Sequence, residues 1–171
     1  MSQNFTPSPA LAADFPLIDH LLDLSFGPTR RTKTSYRLRE GATAVDGLSW
    51  VVRDEELGIV GAISFWPLAI GAIGIPALLL GPLAVHPQRQ NKGIGLGLMT
   101  HALGLAKLQG HKLVILVGDA PYYGRVGFKN VPKGKLLFPG PFDEARLLHL
   151  ELVNGALDAA NGLVVAAHRF R

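Results

Sequence analysis

At 171 residues the chain is long enough to bury one real core, and 48% hydrophobic against 18% charged residues excludes a mainly disordered protein. It contains no cysteine, so it has no disulfide, thiolate metal site or cysteine nucleophile, which suits a reducing, cytoplasmic setting. A net charge of +4 tolerates an anionic ligand but is too small to imply nucleic-acid binding, and the six histidines show no metal-motif spacing such as HExxH.

Residues 1–10 read as an irregular or short extended start, without the basic and apolar regions of a signal peptide. Phe15, Ile18, Leu21, Leu22 and Leu24 recur at helical spacing ahead of Gly27-Pro28, predicting a helix over about 12–26. The basic stretch "PTRRTKTSYRLREG" follows as a loop and a short second helix ended by Gly41. "LSWVVRDEELGIVGAISFWPLAI" reads as two strands about a DEELG turn, and 77–85 as a third strand. Residues 57–85 carry no charge, a run long enough to span a bilayer. Pro67, Pro76 and Pro82, with Gly58, Gly61, Gly71, Gly74 and Gly81, divide it into strand-length pieces, so a buried strand pair is expected and a membrane span is not. Phe65 and Trp66 fall in the core on that reading.

Residues 93–109 read as a helix with its apolar stripe at Leu98, Ala102, Leu105 and Leu108, closed by Gly110. "KLVILV" (112–117) is a short buried strand, and "GDAPYYGRVGF" a turn-rich loop or short helix. Leu148, Leu150 and Leu152 alternate with His149 and Glu151, marking a half-buried strand near 146–153, and "GLVVAAHRF" adds a last one. The whole is a mixed α/β fold in a single domain, 1–171. An exposed late strand such as 146–153 is a candidate for pairing between subunits of a homodimer.

The stretch "RQNKGIGLG" (89–97) places glycines where a helix has to begin, although each costs roughly 1 kcal/mol against Ala in a helix interior. A strand, a polar glycine turn and a helix start together make an anion site. The first N–H groups of a helix have no internal partner, and the helix dipole adds positive potential there. Without β-carbons at Gly93 and Gly95, a diphosphate can approach those N–H groups closely, with Lys92 and Arg89 adding charge. A P-loop does not fit, because Lys92 precedes the glycines. The dinucleotide fingerprint GxGxxG also fails, because its third glycine falls on Leu98.

"VHPQRQNKGIG" (85–95) resembles the Q/R-x-x-G-x-G/A signature of the GNAT superfamily of acetyl-CoA-dependent N-acetyltransferases, with Asn91 where that family often has Gly. "LGPLAVHP" upstream looks like the family's fourth strand, and "YGRVGF" (123–128) like its Y-x-x-x-G-F element. The segment around that element, "RTKTSYRLREG" and "FPGPFDEARLLHLEL" look like the YhbS-like branch of predicted acetyltransferases, so the resemblance covers most of the chain. It implies a mixed central sheet with splayed strands flanked by helices. It also implies that backbone amides from Gln90 through Asn91, Lys92, Gly93, Ile94 and Gly95 hold the CoA pyrophosphate. Leu83, Ala84 and Val85 would pair with the pantetheine arm, and Tyr123 would sit by the sulfur as general acid.

In such enzymes an amine attacks the thioester directly. The resemblance thus implies transfer from acetyl-CoA to a primary amine of a small molecule or peptide, with an oxyanion donor in the backbone near Val85. Tyr122 is an alternative to Tyr123. His86, Asp119 and Glu55 are the nearest candidates for a base, with His86 also a natural turn residue and Asp119 a natural helix cap. The basic cluster Arg30, Arg31, Lys33, Arg37 and Arg39 borders the acceptor side in that fold and is equally a solvated face balanced by Glu40. The want of an evident base also leaves open a CoA-binding regulatory module without turnover.

Overall fold

The computed structural model describes residues 5–171, so the first four residues of the irregular start lie outside it. Strand β1 is Ser8–Pro9, and a 3-10 turn leads into helix α1, Phe15–Phe26. Pro16 stands in the first turn of α1, where its missing N–H costs nothing, and Gly27 ends the helix at φ +80°. The basic stretch forms a 3-10 turn, Arg30–Thr32, and the one-turn helix α2, Thr34–Arg37.

The uncharged run folds as two adjacent antiparallel strands. β2 (Trp50–Asp54), β3 (Gly58–Ile70) and β4 (Ile75–Val85) are a meander, and no helix of the described residues is long and apolar enough to cross a membrane. Helix α3 (Ile94–Leu108) then crosses to β5 (Leu113–Val117), which runs parallel to β4. The short helix α4, Ala120–Gly124, follows. Strands β6 (Lys129–Asn130), β7 (Leu136–Leu137), β8 (Leu147–Glu151) and β9 (Gly162–Ala166) complete the fold. The sheet order is β1-β2-β3-β4-β5-β8-β6, with β9 beside the far end of β3 and β7 beside β9. β6 and β7 are two residues each, too short to carry the alternation by which a strand is read.

The sheet is buried on both faces, which is why β3 and β4 read as unbroken apolar runs. On one face α3 packs on Val52, Val60, Ile63 and Phe65. On the other, α1 covers Val51, Ile59, Ala62 and Ala84, while the C-terminal segment covers Leu68, Ile70 and Ile115. Gly61 sets how closely α3 approaches: a β-carbon there would stand 2.6 Å from Ile94 Cγ2. The buried stripe of α3 is Ile94, Leu98, Met99, Ala102, Leu103 and Ala106. The expected Leu108 is instead 84% exposed, because the helix runs past the sheet at its C-terminal end.

Two other expectations are corrected. Trp66 is only half-buried, its indole held at the surface of the sheet by hydrogen bonds described below. β8 is not a half-buried outer strand: β5 lies on one side, and on the other β6 pairs with Leu148 and His149. His149 is therefore buried, and the strand edge offered for subunit pairing is already occupied there.

His149 Nδ1 meets no hydrogen-bond partner among the described residues, and burial pulls the imidazole below its ordinary value, against the pull of Glu151. A group that resists protonation in the native state lets the unfolded chain bind the extra proton, so stability falls as pH drops below about 6.5 toward the lower native value. Chemical denaturation of wild type across pH 7 to 5 should show this loss, and His149→Leu should flatten it. An unchanged slope in the variant would assign the loss elsewhere.

Candidate active site

β4 and β5 hold together only at Leu78–Leu79 and Val114–Ile115 and then part. The cause lies in β4. Its register against β3 jumps from Leu80 opposite Phe65 to Leu83 opposite Ile63, so Gly81 and Pro82 together face Ser64. Proline has no N–H for a ladder and is tolerated in a strand at such a bulge. Trp66 Nε1 at 2.8 Å and Ser64 Oγ at 3.1 Å both donate to the Gly81 carbonyl, which pins the bulge.

Beyond the bulge the backbone of β4 is exposed to the gap. His86 N–H donates to the Val60 carbonyl on β3. The alternation of an antiparallel ladder then turns the N–H and C=O of Val85 and Leu83 away from β3, and the Ser25 hydroxyl meets the outward Val85 carbonyl at 3.3 Å. Ala84, between them, points its side chain into the core beneath α1. Of the three predicted β4 residues, Leu83 and Val85 turn their backbone outward, the Val85 carbonyl toward Ser25, and Ala84 spaces them.

The helix start lies next to this edge. Asn91 at φ +62° and Gly93 at φ +81° make the turn. Asn91 occupies a left-handed position that glycine fills most easily and Asn tolerates. The first intrahelical bond runs from Gly97 N–H to the Gly93 carbonyl, leaving the N–H groups of Ile94, Gly95 and Leu96 unpaired at the mouth. Gly95, however, has a packing reason besides ligand access: a β-carbon there would overlap the Tyr122 hydroxyl.

Arg89 does not supply free charge. Its guanidinium binds Asp54, with Nε 2.6 Å from the carboxylate, and reaches Glu56 at 3.3 Å. Asp54 also accepts the N–H groups of Glu56 and Leu57, and Arg89 holds its carboxyl down at about 2. This pair ties the β2–β3 turn to the segment before α3 and so fixes the glycine turn in place. Lys92 is exposed and does not line the cleft; Arg125, which no motif pointed to, does.

Two clefts meet here. One, of about 490 Å³, follows Leu83–Val85 and the turn at Gln90, Asn91, Gly93, Ile94 and Gly95. The other, of about 360 Å³, lies between the basic stretch and the β4 bulge. Tyr122, Tyr123, Leu83 and Phe26 line both. Tyr123 is seated by small residues. Its ring edge lies where a β-carbon on Gly118 would be, 2.5 Å away, and it packs edge-on against Phe128, which Gly127 at φ +102° brings beneath it. Burial and the neighbouring Tyr122 push the Tyr123 phenol up to about 12, so it is protonated across the physiological range.

The other predicted residues divide. Asp119 stands at the N-cap position of α4 but makes no capping bond, and its side chain lines the second cleft. His86 Nδ1 accepts the Gln88 N–H at 3.1 Å, which makes it a turn residue, and neither it nor Glu55 lines either cleft. Arg30, Lys33 and Arg39 line the second cleft; Arg31 and Arg37 do not. Arg146 also lines it, from the 3-10 turn Glu144–Arg146 within the "FPGPFDEARLLHLEL" stretch, for which the sequence indicated no site role, and the Gly118 N–H donates to its carbonyl.

A sheet parted beside a glycine-turn helix start, with a tyrosine shared between two clefts, defines an acyltransferase fold of the acetyltransferase type. Residues 46–130 match the acetyltransferase (GNAT) domain. The chain is 29% identical over 151 residues to the uncharacterized N-acetyltransferase YhbS of Escherichia coli strain K12, covering 88% of this chain and 89% of that one. The crystal structure of the E. coli YhbS in complex with CoA superposes with a TM-score of 0.82 at 26% identity, covering 97% of this chain and 91% of that one. A GNAT family acetyltransferase from Brucella melitensis in complex with acetyl-CoA gives 0.61 at 26% identity, over 91% and 99%. The chain carries a GNAT acetyltransferase domain.

Proposed function

We propose that this chain transfers the acetyl group of acetyl-CoA directly to a primary amine of a small molecule or peptide, with Tyr123 as general acid. The observation that carries this reading is the junction of the parted β4 edge, the unpaired N–H groups of α3 and Tyr123 at the meeting of the two clefts. The residues fit the cosubstrate. A diphosphate suits the three N–H groups at Ile94–Leu96, with Arg125 at the wall, and an extended amide-bearing arm suits the outward backbone of Leu83 and the Val85 N–H.

Bound acetyl-CoA supplies the acyl carbon, to which the amine nitrogen bonds as the C–S bond breaks and the sulfur takes a proton. The outward N–H of Val85 is the donor for the oxyanion. Tyr123 gives its proton to the sulfur. From a phenol near 12 to a thiol near 8.5 that transfer is uphill by on the order of 5 kcal/mol, well inside the ~16 kcal/mol barrier of a typical turnover. Tyr122 is less suited, because its hydroxyl is taken up against Gly95 at the helix start. Asp119 is the only carboxylate lining the acceptor cleft among the described residues, and it draws the ammonium end inward before its proton leaves to water.

Acetyl-CoA at a hundred times its Kd should stabilise the fold by ~2.7 kcal/mol. For a chain of this size that is a rise in Tm of roughly 5–11 °C. Mixing with a panel of amines should release free thiol. A melting curve unmoved by saturating acetyl-CoA would overturn the reading, and a shift without thiol release across the panel would leave a binding module in its place.

A further inference from the structure

Resting on that reading, the charges of the acceptor cleft define the kind of amine it takes. Arg30 is satisfied internally: it is buried, with Asp23 at 2.8 Å, Asp19 at 3.4 Å and the Tyr36 hydroxyl at 2.8 Å. Arg39 is different. Its guanidinium lies 3.7 Å over the Tyr36 ring and 5.7 Å from the Trp66 ring, and no carboxylate lies within ion-pair distance of it among the described residues. Burial pulls this guanidinium below its ordinary value, so the cation has lost water without gaining a counter-charge. Aromatic faces hold a cation in place but leave its N–H fork open, and a desolvated cation without a partner favours an arriving anion.

Arg39 is also placed by the same device that opens the sheet. Trp66, which flanks it, donates to the Gly81 carbonyl at the β4 bulge, and Gly81 lines the same cleft. Arg146, with no carboxylate partner among the described residues, and Lys33, over the Phe26 ring at 5.4 Å, line it too. The single acid of the cleft among the described residues, Asp119, stands at the start of α4 beside Tyr123, and Arg146 reaches the same phenol, so the cleft carries excess positive charge with one carboxylate by the tyrosine. We propose that the acceptor is an amine bearing a carboxylate or phosphoryl group, its anion on Arg39 and Arg146 and its amine directed past Asp119 toward Tyr123. Arg39 and Arg146 are then specificity residues. A cationic polyamine would meet the cluster as a like charge and is disfavoured.

The test uses matched pairs: β-alanine against β-alaninamide, and 2-aminoethylphosphonate against ethanolamine. Thiol release should give each anionic member a kcat/KM at least tenfold above its uncharged partner. Losing one charge-assisted contact in Arg39→Gln or Arg146→Gln should raise KM for the anionic member about ten- to hundredfold. KM for acetyl-CoA should stay within about twofold. Using both variants guards against loss of folding from the Tyr36–Arg39 stack. Equal use of charged and uncharged partners, or variants that change both alike, would overturn the proposal. Calorimetric titration of the same four compounds into the CoA-loaded protein reads the cleft without turnover; there, equal or absent binding of the anionic members overturns it. If acetyl-CoA fails to shift the melting curve, the acetyltransferase reading falls, and titration into the free protein still decides whether the cleft selects anions.

Discussion

Tyr123→Phe should lower kcat by about 10²- to 10⁴-fold, the usual worth of a general acid, while the Kd for acetyl-CoA changes by no more than about twofold. The two should separate because the surfaces proposed for the cosubstrate are backbone, at Leu83, Val85 and Ile94–Leu96, and the ring of residue 123 keeps its packing on Gly118 and Phe128 in the variant. The pH profile gives a second reading of the same group. An acid acts while protonated, and a phenol raised to about 12 keeps its proton well beyond the range of assay. The wild-type rate should thus rise as the amine deprotonates and then hold level to at least about pH 10, with no descending limb from Tyr123. Equal losses of kcat and acetyl-CoA affinity would remove the hydroxyl from the chemistry and leave the ring a structural part.

Gly95→Ala should destabilise the protein by about 1–3 kcal/mol, as overpacking generally does, and raise the Kd for acetyl-CoA about tenfold. The reason is local. The added methyl overlaps the Tyr122 hydroxyl, but stands 3.4 Å from Tyr122 Cζ and 3.5 Å from Val85 Cγ2, which are ordinary van der Waals contacts. Displacing the hydroxyl pushes the Tyr122 ring, which lines the cleft along Leu83–Val85 and the glycine turn, out of position. In a Tyr122→Phe background the same substitution should be close to neutral, giving a coupling of at least about 1 kcal/mol in a double-mutant cycle. Equal losses in both backgrounds would show that the alanine acts on the helix start itself and not through Tyr122. The cycle also separates two explanations of the glycine turn. Gly93 is required by its left-handed backbone, whereas Gly95 is required by a neighbouring side chain.

Much of the architecture was legible without coordinates. Gly58, Gly71 and Gly74 within 57–85 mark strand ends in the meander β2–β4, whereas Gly61, Pro67, Gly81 and Pro82 lie inside β3 and β4. The glycine turn before α3 lies where its local chemistry put it, since a positive φ and an unpaired N–H act within a few residues, whereas the Y-x-x-x-G-F element was legible only through the family resemblance. What misled was periodicity read as burial. Leu108 belongs to the apolar face of α3 by spacing but extends past the sheet, and His149 alternates with leucines yet is covered by β6.

The sequence by itself determined where the longer elements lie, that the long apolar run is sheet, and that a helix start with free N–H groups follows it, because these depend on neighbours a few residues away. Only the tertiary structure decided which charges are free. Arg89, Arg30 and Arg39 look alike in the chain; Asp54 takes the first, Asp19 and Asp23 the second, and the third meets the rings of Tyr36 and Trp66 and no carboxylate among the described residues. Ion pairing depends on which residues meet across a fold, and Asp54 to Arg89 spans 35 positions that no local pattern records.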